Sequence, residues 1–189
     1  MVRIETPRLV LRRWRESDVP VMAQVHGDPE VMRWIGEGRA LTPEESRRAV
    51  ERFENTWETE GFGLFAVELR DTGELAGFTG LAVPYFLPEV LPAVEIGWRL
   101  GRAYWGRGIA TEAAWAALRF GFETAELDRV VSIAQIGNTA SERVMAKLGL
   151  RPERETTRPD SGTPLRVHEL TRADYFARPR RAHEGGGTP

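Results

Sequence analysis

The segment after Gly108 places Ala110, Ala113, Ala114, Ala117 and Leu118 on one side of a helix. Residues three and four apart are helical neighbours, so these side chains form one stripe. A stripe of methyl groups lets a helix lie close against a sheet, which bulkier side chains would prevent. Before it runs Arg102-Ala103-Tyr104-Trp105-Gly106-Arg107-Gly108, and before that the extended Ala93-Val94-Glu95-Ile96-Gly97-Trp98-Arg99-Leu100. The chain must therefore contain a strand, a glycine turn and a helix packed back onto the sheet. Gly97 inside the strand predicts a bulge or a close backbone approach.

The remaining elements follow from periodicity. Leu9 and Leu11 alternate with polar neighbours, which predicts a strand over 8–13. Ser17-Asp18 offers an N-cap for a short helix through Val25, and Pro29 starts another turn carrying Val31, Met32 and Trp34. Thr42-Pro43-Glu44-Glu45 has the pattern of a capping box, with Ala49, Val50, Phe53 and Trp57 following at helical spacing to about Thr59. Residues 63–69 and 75–81 read as a hairpin around Asp71-Thr72-Gly73-Glu74, with a proline-rich apolar loop over 84–92 next. Within that loop, Pro84-Tyr85-Phe86-Leu87-Pro88 is expected to be exposed, as a lid or a dimer contact. Val130-Val131-Ser132-Ile133-Ala134 reads as a buried strand, and 139–148 as a helix stopped by Gly149. Strands near 151–157 and 164–171 pair around Asp160-Ser161-Gly162. This order predicts an α/β (α+β) chain with one mixed sheet covered by helices on both faces. The expectation is a single domain over 1–177 and a disordered tail over 178–189, the latter from its glycine-rich polar composition.

Composition excludes several function classes. A net charge of -2 disfavours nonspecific nucleic-acid binding. No apolar run reaches the roughly 18 residues of a membrane span, and the N-terminal residues lack the apolar core of a signal peptide. Cytoplasmic location is expected. Cysteine is absent, which removes thiol nucleophiles and cysteine zinc sites. His26, His168 and His183 are isolated, with no metal-ligand spacing, so no metal is expected. No Gly-x-Ser-x-Gly elbow marks a hydrolase. The six tryptophans are assigned mostly to the core.

Two places carry candidate chemistry. At a helix start the first backbone N–H groups are unpaired and the helix dipole adds positive charge. Glycines there let the backbone approach a phosphate, and Arg107 can pair with one. The alternative is a turn that only joins a strand to a helix. One strand later comes Asn138-Thr139-Ala140-Ser141-Glu142-Arg143-Val144-Met145-Ala146-Lys147-Leu148-Gly149. Ser141 shares a helical face with Val144 and Leu148, so its hydroxyl points inward and needs a partner. The alternative is that Asn138 caps the helix and Ser141 bonds a backbone carbonyl.

Together these motifs resemble the GNAT acetyltransferase family, and within it the branch that acetylates ribosomal-protein N-termini and related amines (RimJ/RimL type). The family's phosphate motif, Gln/Arg-x-x-Gly-x-Gly/Ala, is similar to Trp105-Gly106-Arg107-Gly108-Ile109-Ala110, with tryptophan in place of the first residue. The branch's Asn-x-x-Ser and Lys-Leu-Gly match Asn138, Ser141, Lys147, Leu148 and Gly149. Thr6-Pro7-Arg8-Leu9 and Leu170-Thr171-Arg172-Ala173-Asp174-Tyr175 resemble the branch's two ends, so the likeness covers about 6–176.

The resemblance implies a mostly antiparallel central sheet of about seven strands with a splay between the two middle ones. It implies acetyl-CoA as co-substrate, its pyrophosphate held by backbone amides of Gly106, Arg107, Gly108, Ala110 and Thr111. The pantetheine arm would run along free main-chain groups near Trp98 and Leu100, as an added strand does. Ser141 would lie near the donor's thiol, and Asn138 would hydrogen-bond the pantetheine or fix the amine. Many family members protonate the thiolate with a tyrosine, and the aligned residue here is Met145, which leaves Ser141 as the substitute.

Glu95 is the candidate base, with a solvent-facing glutamate as the alternative. A backbone N–H of Trp98 or Arg99 is the candidate oxyanion donor. An α-amine, with a pKa of about 7.7–8.0, needs less help at neutral pH than a lysine amine near about 10.4. The expectation is therefore direct acetyl transfer, through a tetrahedral intermediate, to a primary amine such as a peptide N-terminus. The alternatives are a small amine (a polyamine, an aminoglycoside or an amino-acid-like compound) or a non-catalytic CoA-binding regulatory module. A nucleotide-dependent transferase is disfavoured, because the glycine turn lacks a Walker lysine. Trp34 and His168 are the candidate acceptor-site residues, and the chain is expected to be a monomer or homodimer.

Overall fold

The structure is a computed structural model that describes residues 2–178. Chain order runs β1 (Arg3–Glu5), β2 (Leu9–Arg12), α1 (Val19–Gly27), α2 (Pro29–Met32), α3 (Pro43–Glu60), β3 (Leu64–Leu69), β4 (Leu75–Ala82), β5 (Val94–Leu100), α4 (Ile109–Glu123), β6 (Arg129–Gln135), α5 (Thr139–Leu148), β7 (Arg151–Thr157), β8 (Pro164–Thr171) and α6 (Arg172–Ala177). Among the described residues the strands form one eight-stranded sheet, ordered β1-β2-β3-β4-β5-β6-β8-β7. Neighbours are antiparallel except β5 and β6, which run parallel. The strand beyond the expected seven is β1, three residues at the sheet edge and too short to show a period.

Helices cover both faces. The alanine stripe of α4 packs Ala113, Ala114, Ala117 and Leu118 against Leu11, Val67, Ile96 and Leu100 in the larger core. On the other face, Met22 and Val25 of α1 and Val50 of α3 pack with Trp14, Ala66 and Phe78. Each fully buried large apolar side chain here contributes about 1.5–3 kcal/mol. Helix α3 begins at the expected capping box, with Thr42 accepting from the Glu45 N–H and Glu45 accepting from the Thr42 N–H.

Several expectations are corrected. Asp18 does not cap α1 with its side chain; the carboxylate instead accepts two bonds from the Arg12 guanidinium, at 2.8 and 2.9 Å. A bidentate arginine outcompetes a helix amide for the same oxygens. Gly97 carries no bulge, because β4 and β5 stay in register from Gly77↔Leu100 to Ala82↔Glu95. The glycine required for close approach is Gly77, where a Cβ would lie 2.2 Å from the Arg99 carbonyl oxygen. In the proline-rich loop, Tyr85 is exposed, whereas Leu87 is fully buried with Val90, Val131 and Val167. Arg178, assigned to the tail, donates to the Leu148 carbonyl and stacks on Trp115 and Tyr175. The rest of the expected tail, with His183, lies outside the described residues.

Candidate active site

The parallel pairing of β5 and β6 covers only Val94↔Val130 and Glu95↔Val131. Beyond it β5 continues to Leu100 and β6 to Gln135, each still paired on its outer side. A gap therefore opens inside a continuous sheet. Its phase is fixed by the Gly101 N–H, which donates to the Ala76 carbonyl at 2.9 Å. Hydrogen-bonded positions alternate along an antiparallel ladder. Glu95, Gly97 and Arg99 thus turn their main-chain groups to β4, while Ile96, Trp98 and Leu100 turn theirs to the gap. The Leu100 carbonyl is taken there by the Trp105 indole N–H at 2.8 Å, which corrects the expectation that it stays free.

The gap is part of a cleft of about 770 Å³. One end is the glycine turn. Gly108 stands immediately before α4 with φ 77°, a conformation that favours glycine. The first bond entering the helix runs from the Glu112 N–H to the Gly108 carbonyl. The amides of Ile109, Ala110 and Thr111 precede it and have no intrahelical partner. All three residues line the cleft with Gly106 and Gly108. The Arg107 side chain does not line it; its guanidinium lies over the Tyr104 ring, 5.9 Å from the centroid.

The turn is clamped from the bend between β1 and β2. Glu112 accepts from the Thr6 hydroxyl at 2.7 Å, the Arg8 N–H at 3.0 Å and Arg8 Nε at 2.6 Å. Arg8 Nη1 also donates to the Arg107 carbonyl at 2.9 Å. Burial raises the Glu112 carboxyl, but the bonds from Thr6 and Arg8 outweigh it and hold the group below its ordinary value. Sequence reading saw Thr6-Pro7-Arg8-Leu9 only as a likeness; its partner lies about a hundred residues away, beyond any local signal.

Asn138 and Ser141 line the far wall of the gap, with Ser132 and Ala134 of β6. Asn138 Oδ1 accepts the Ser141 N–H at 3.2 Å, so the asparagine does cap α5. That leaves its amide NH₂ as a donor. Ser141 is half-buried at the cleft, whereas Met145 and Leu148, one turn on, are fully buried in the core. Met145 thus occupies packing space and does not line the cleft.

Glu95 sits where the splay begins, half-buried in the cleft. Burial pushes its carboxyl from 4.5 up to about 8, against an opposing hydrogen bond from the Ile133 N–H. Gly97 and Arg99 share its face of β5, since side chains alternate along a strand. Sequence reading missed Arg99 as a side chain, because nothing in a strand pattern distinguishes a buried arginine from a surface one.

Trp34 lines the cleft and approaches Gly137, where a Cβ would lie 3.3 Å from its ring. Its loop is tied across the opening by Gln135 Nε2, which donates to the Gly36 carbonyl at 3.0 Å. Trp98 and Trp105 also line the cleft, although Trp98 packs against the core as well; with Trp14, Trp57 and Trp115, four of the six tryptophans belong to or pack on a core, as expected. His168 is not brought to this site. It is 6% exposed and borders a separate shallow pocket with Leu150, Pro152 and Arg166. Among the described residues, no cluster of three or more His, Asp or Glu side chains is placed to hold a metal, and no helix is long and apolar enough to cross a membrane.

A family model described as acetyltransferase (GNAT) domain matches residues 8–151. The chain belongs to the GNAT family. It is 34% identical over 152 residues to a Bacillus subtilis (strain 168) protein named "Uncharacterized N-acetyltransferase YnaD", covering 80% of this chain and 84% of that one. A GNAT-family acetyltransferase structure from Bacillus anthracis superposes with TM-score 0.77 at 28% identity, covering 91% of this chain and 99% of that one. The fold is also that of RimL, a ribosomal L7/L12 alpha-N-protein acetyltransferase in complex with coenzyme A, with TM-score 0.75 at 18% identity and 90% and 98% coverage. This GNAT protein is thus an N-acetyltransferase, and the family uses acetyl-CoA as acyl donor. Its cleft suits that donor: free amides at the start of α4, outward main-chain groups at Trp98, and the cationic Arg143 and Lys147 along the wall.

Proposed function

We propose that this enzyme acetylates a primary α-amine, such as a peptide or protein N-terminus, with Glu95 as the base. Acetyl-CoA supplies the activated acetyl group as a thioester. The amine nitrogen forms its bond to the acetyl carbon to give a tetrahedral intermediate, whose collapse breaks the carbon–sulfur bond. The amine's proton passes to Glu95; the departing thiolate is stabilised by a hydrogen bond from the Ser141 hydroxyl and takes its proton from water, to which Glu95 returns the one it accepted. The Trp98 N–H, turned to the gap, donates to the carbonyl oxygen as that oxygen gains charge. The Arg99 amide, by contrast, faces β4. Backbone N–H groups from Gly106 to Thr111 hold the diphosphate, and the Asn138 NH₂ orients the pantetheine arm. Trp34 walls the acceptor side.

The observation that carries this reading is the Glu95 carboxyl, raised to about 8 by burial. Burial thus moves Glu95 towards the range of an α-amine, about 7.7–8.0, and makes it a stronger acceptor for that proton than an ordinary carboxylate. A lysine side chain, near about 10.4, would give up its proton uphill by some two pH units. The RimL fold likeness, to a protein named for α-N-protein acetylation, agrees with the α-amine. The test mixes enzyme and acetyl-CoA with N-terminal peptides, Nα-blocked lysine peptides, a polyamine and an aminoglycoside, and follows thiol release. Turnover confined to free α-amines supports the assignment. Turnover confined to the polyamine or the blocked lysine peptide contradicts it, and tight coenzyme A binding with no turnover identifies a binding module.

A further inference from the structure

Among the charged residues that line the cleft, Arg99 is the one with a buried side-chain nitrogen lacking a hydrogen-bond partner among the described residues. Its guanidinium lies over the Phe78 ring, 5.1 Å from the centroid. Val31, Phe53 and Leu64 line the same part of the cleft. Arg99 Nε is buried without a hydrogen-bond partner. Among the described residues no carboxylate lies within ion-pair distance of Arg99, although Glu30 is also on the cleft. Burial lowers the guanidinium to about 10, so it stays charged at neutral pH. His26, edge-on to the same Phe78 ring, adds no second positive charge: burial and the Arg99 charge push it down to about 3, so it is neutral at neutral pH.

A cation in an apolar wall with no internal counterion is poised for an external one. Guanidinium favours planar anions, which it grips with two parallel bonds. We propose that Arg99 binds a carboxylate on the acceptor, so that the substrate is an α-amine with an acidic group one or two residues away. The spacing follows from the strand. Glu95 and Arg99 lie on one face with Gly97 between them, and a Cβ at Gly97 would meet nothing within 4 Å. Four residues of strand separate the two Cα atoms by about 13 Å. The Arg99 guanidinium stays beside Phe78, its register partner on β4, so with a hydrogen bond of about 3 Å at each end the acceptor must cover about 7 Å. A free amino acid, whose amine and carboxylate belong to one residue, is too short to reach both. An extended peptide advances about 3.3–3.6 Å per residue, so an acidic side chain at its second or third position, or the C-terminal carboxylate of a di- or tripeptide, spans the distance. Arg99 is thereby a specificity-determining residue, separate from the groups that hold the donor.

The proposal rests on the α-amine acetyltransferase reading, and its test separates the two. Matched acceptors are Ala-Asp-Ala-amide against Ala-Asn-Ala-amide, and Ala-Ala against Ala-Ala-amide, with free alanine as the short control. The first pair reports an acidic side chain and the second a terminal carboxylate. The expected result is a preference of about ten-fold or more in kcat/KM for the acid of at least one pair. Arg99→Gln should reduce that ratio to near one without changing acetyl-CoA affinity, and Arg99→Lys should keep part of it. A wild-type ratio near one in both pairs, or a preference that survives Arg99→Gln, overturns the proposal while leaving α-amine acetylation standing. If no peptide is turned over, calorimetry of the same pairs with the enzyme–coenzyme A complex decides. Tighter binding of the acid that is lost in Arg99→Gln keeps the Arg99 role and removes the α-amine reading. Equal binding removes both.

Discussion

Arg8 and Glu112, 104 positions apart, join through Nε and Oε2 at 2.6 Å directly beside Gly108. The same arginine holds the Arg107 carbonyl, so the bend between β1 and β2 fixes the shape of the turn that opens α4. Glu112→Ala or Arg8→Ala should loosen that turn before it affects chemistry. The expected outcome is a KM for acetyl-CoA raised about five- to twenty-fold with kcat changed less than about three-fold, as for loss of a positioning contact. Steady-state kinetics with varied acetyl-CoA checks it; an unchanged KM would make the clamp purely structural.

Gly108→Glu combines two penalties. The φ of 77° is unfavourable for any side chain, and the added carboxylate sits where a diphosphate is to bind. Calorimetric titration with coenzyme A should show binding abolished, while the circular dichroism stays that of the folded protein. Undiminished affinity would move the donor site elsewhere.

Much of this was legible beforehand. The alanine stripe, the Thr42 capping box, the hairpin and the Gly149 stop are local signals, and each appears where its residues require. The splay itself is a matter of pairing between β5 and β6, and nothing in either strand alone records where pairing ends. Glu95 was visible as a carboxylate on a middle strand, but the burial that raises it comes from the surrounding fold. Arg99 and the Glu112 clamp escaped for the same reason. His168 shows the converse: strand alternation placed it on a buried face without telling which of two pockets that face borders.

Burying Glu95 should cost stability in a pH-dependent way. Its folded pKa is raised from 4.5 to about 8, so its favourable contribution is complete below 4.5 and is lost as pH rises to about 8. Across that window the unfolded chain gains about 1.4 kcal/mol per pH unit relative to the folded one. Glu95→Gln removes the ionisation and should be more stable than wild type at pH 8, with the difference shrinking towards pH 5. Thermal or urea unfolding at both pH values checks this; a pH-independent difference would mean that Glu95 titrates normally.

Asn138 and Ser141 separate capping from catalysis. Asn138→Asp keeps the cap on α5 and removes the NH₂ donor, whereas Asn138→Ala loses both and should cost about 1 kcal/mol of stability. Ser141→Ala should lower kcat about ten-fold or more with little change in coenzyme A affinity. If kcat is unaffected, the hydroxyl only fills space beside the thiol.

The most direct test of the whole account is kcat for Glu95→Gln, measured with a saturating α-amine peptide and acetyl-CoA at pH 7.5 beside the coenzyme A affinity of the same variant. General-base catalysis from the root of the splay predicts kcat lower by about 10²- to 10⁴-fold with donor affinity unchanged. A variant that turns over within about two-fold of wild type would contradict it.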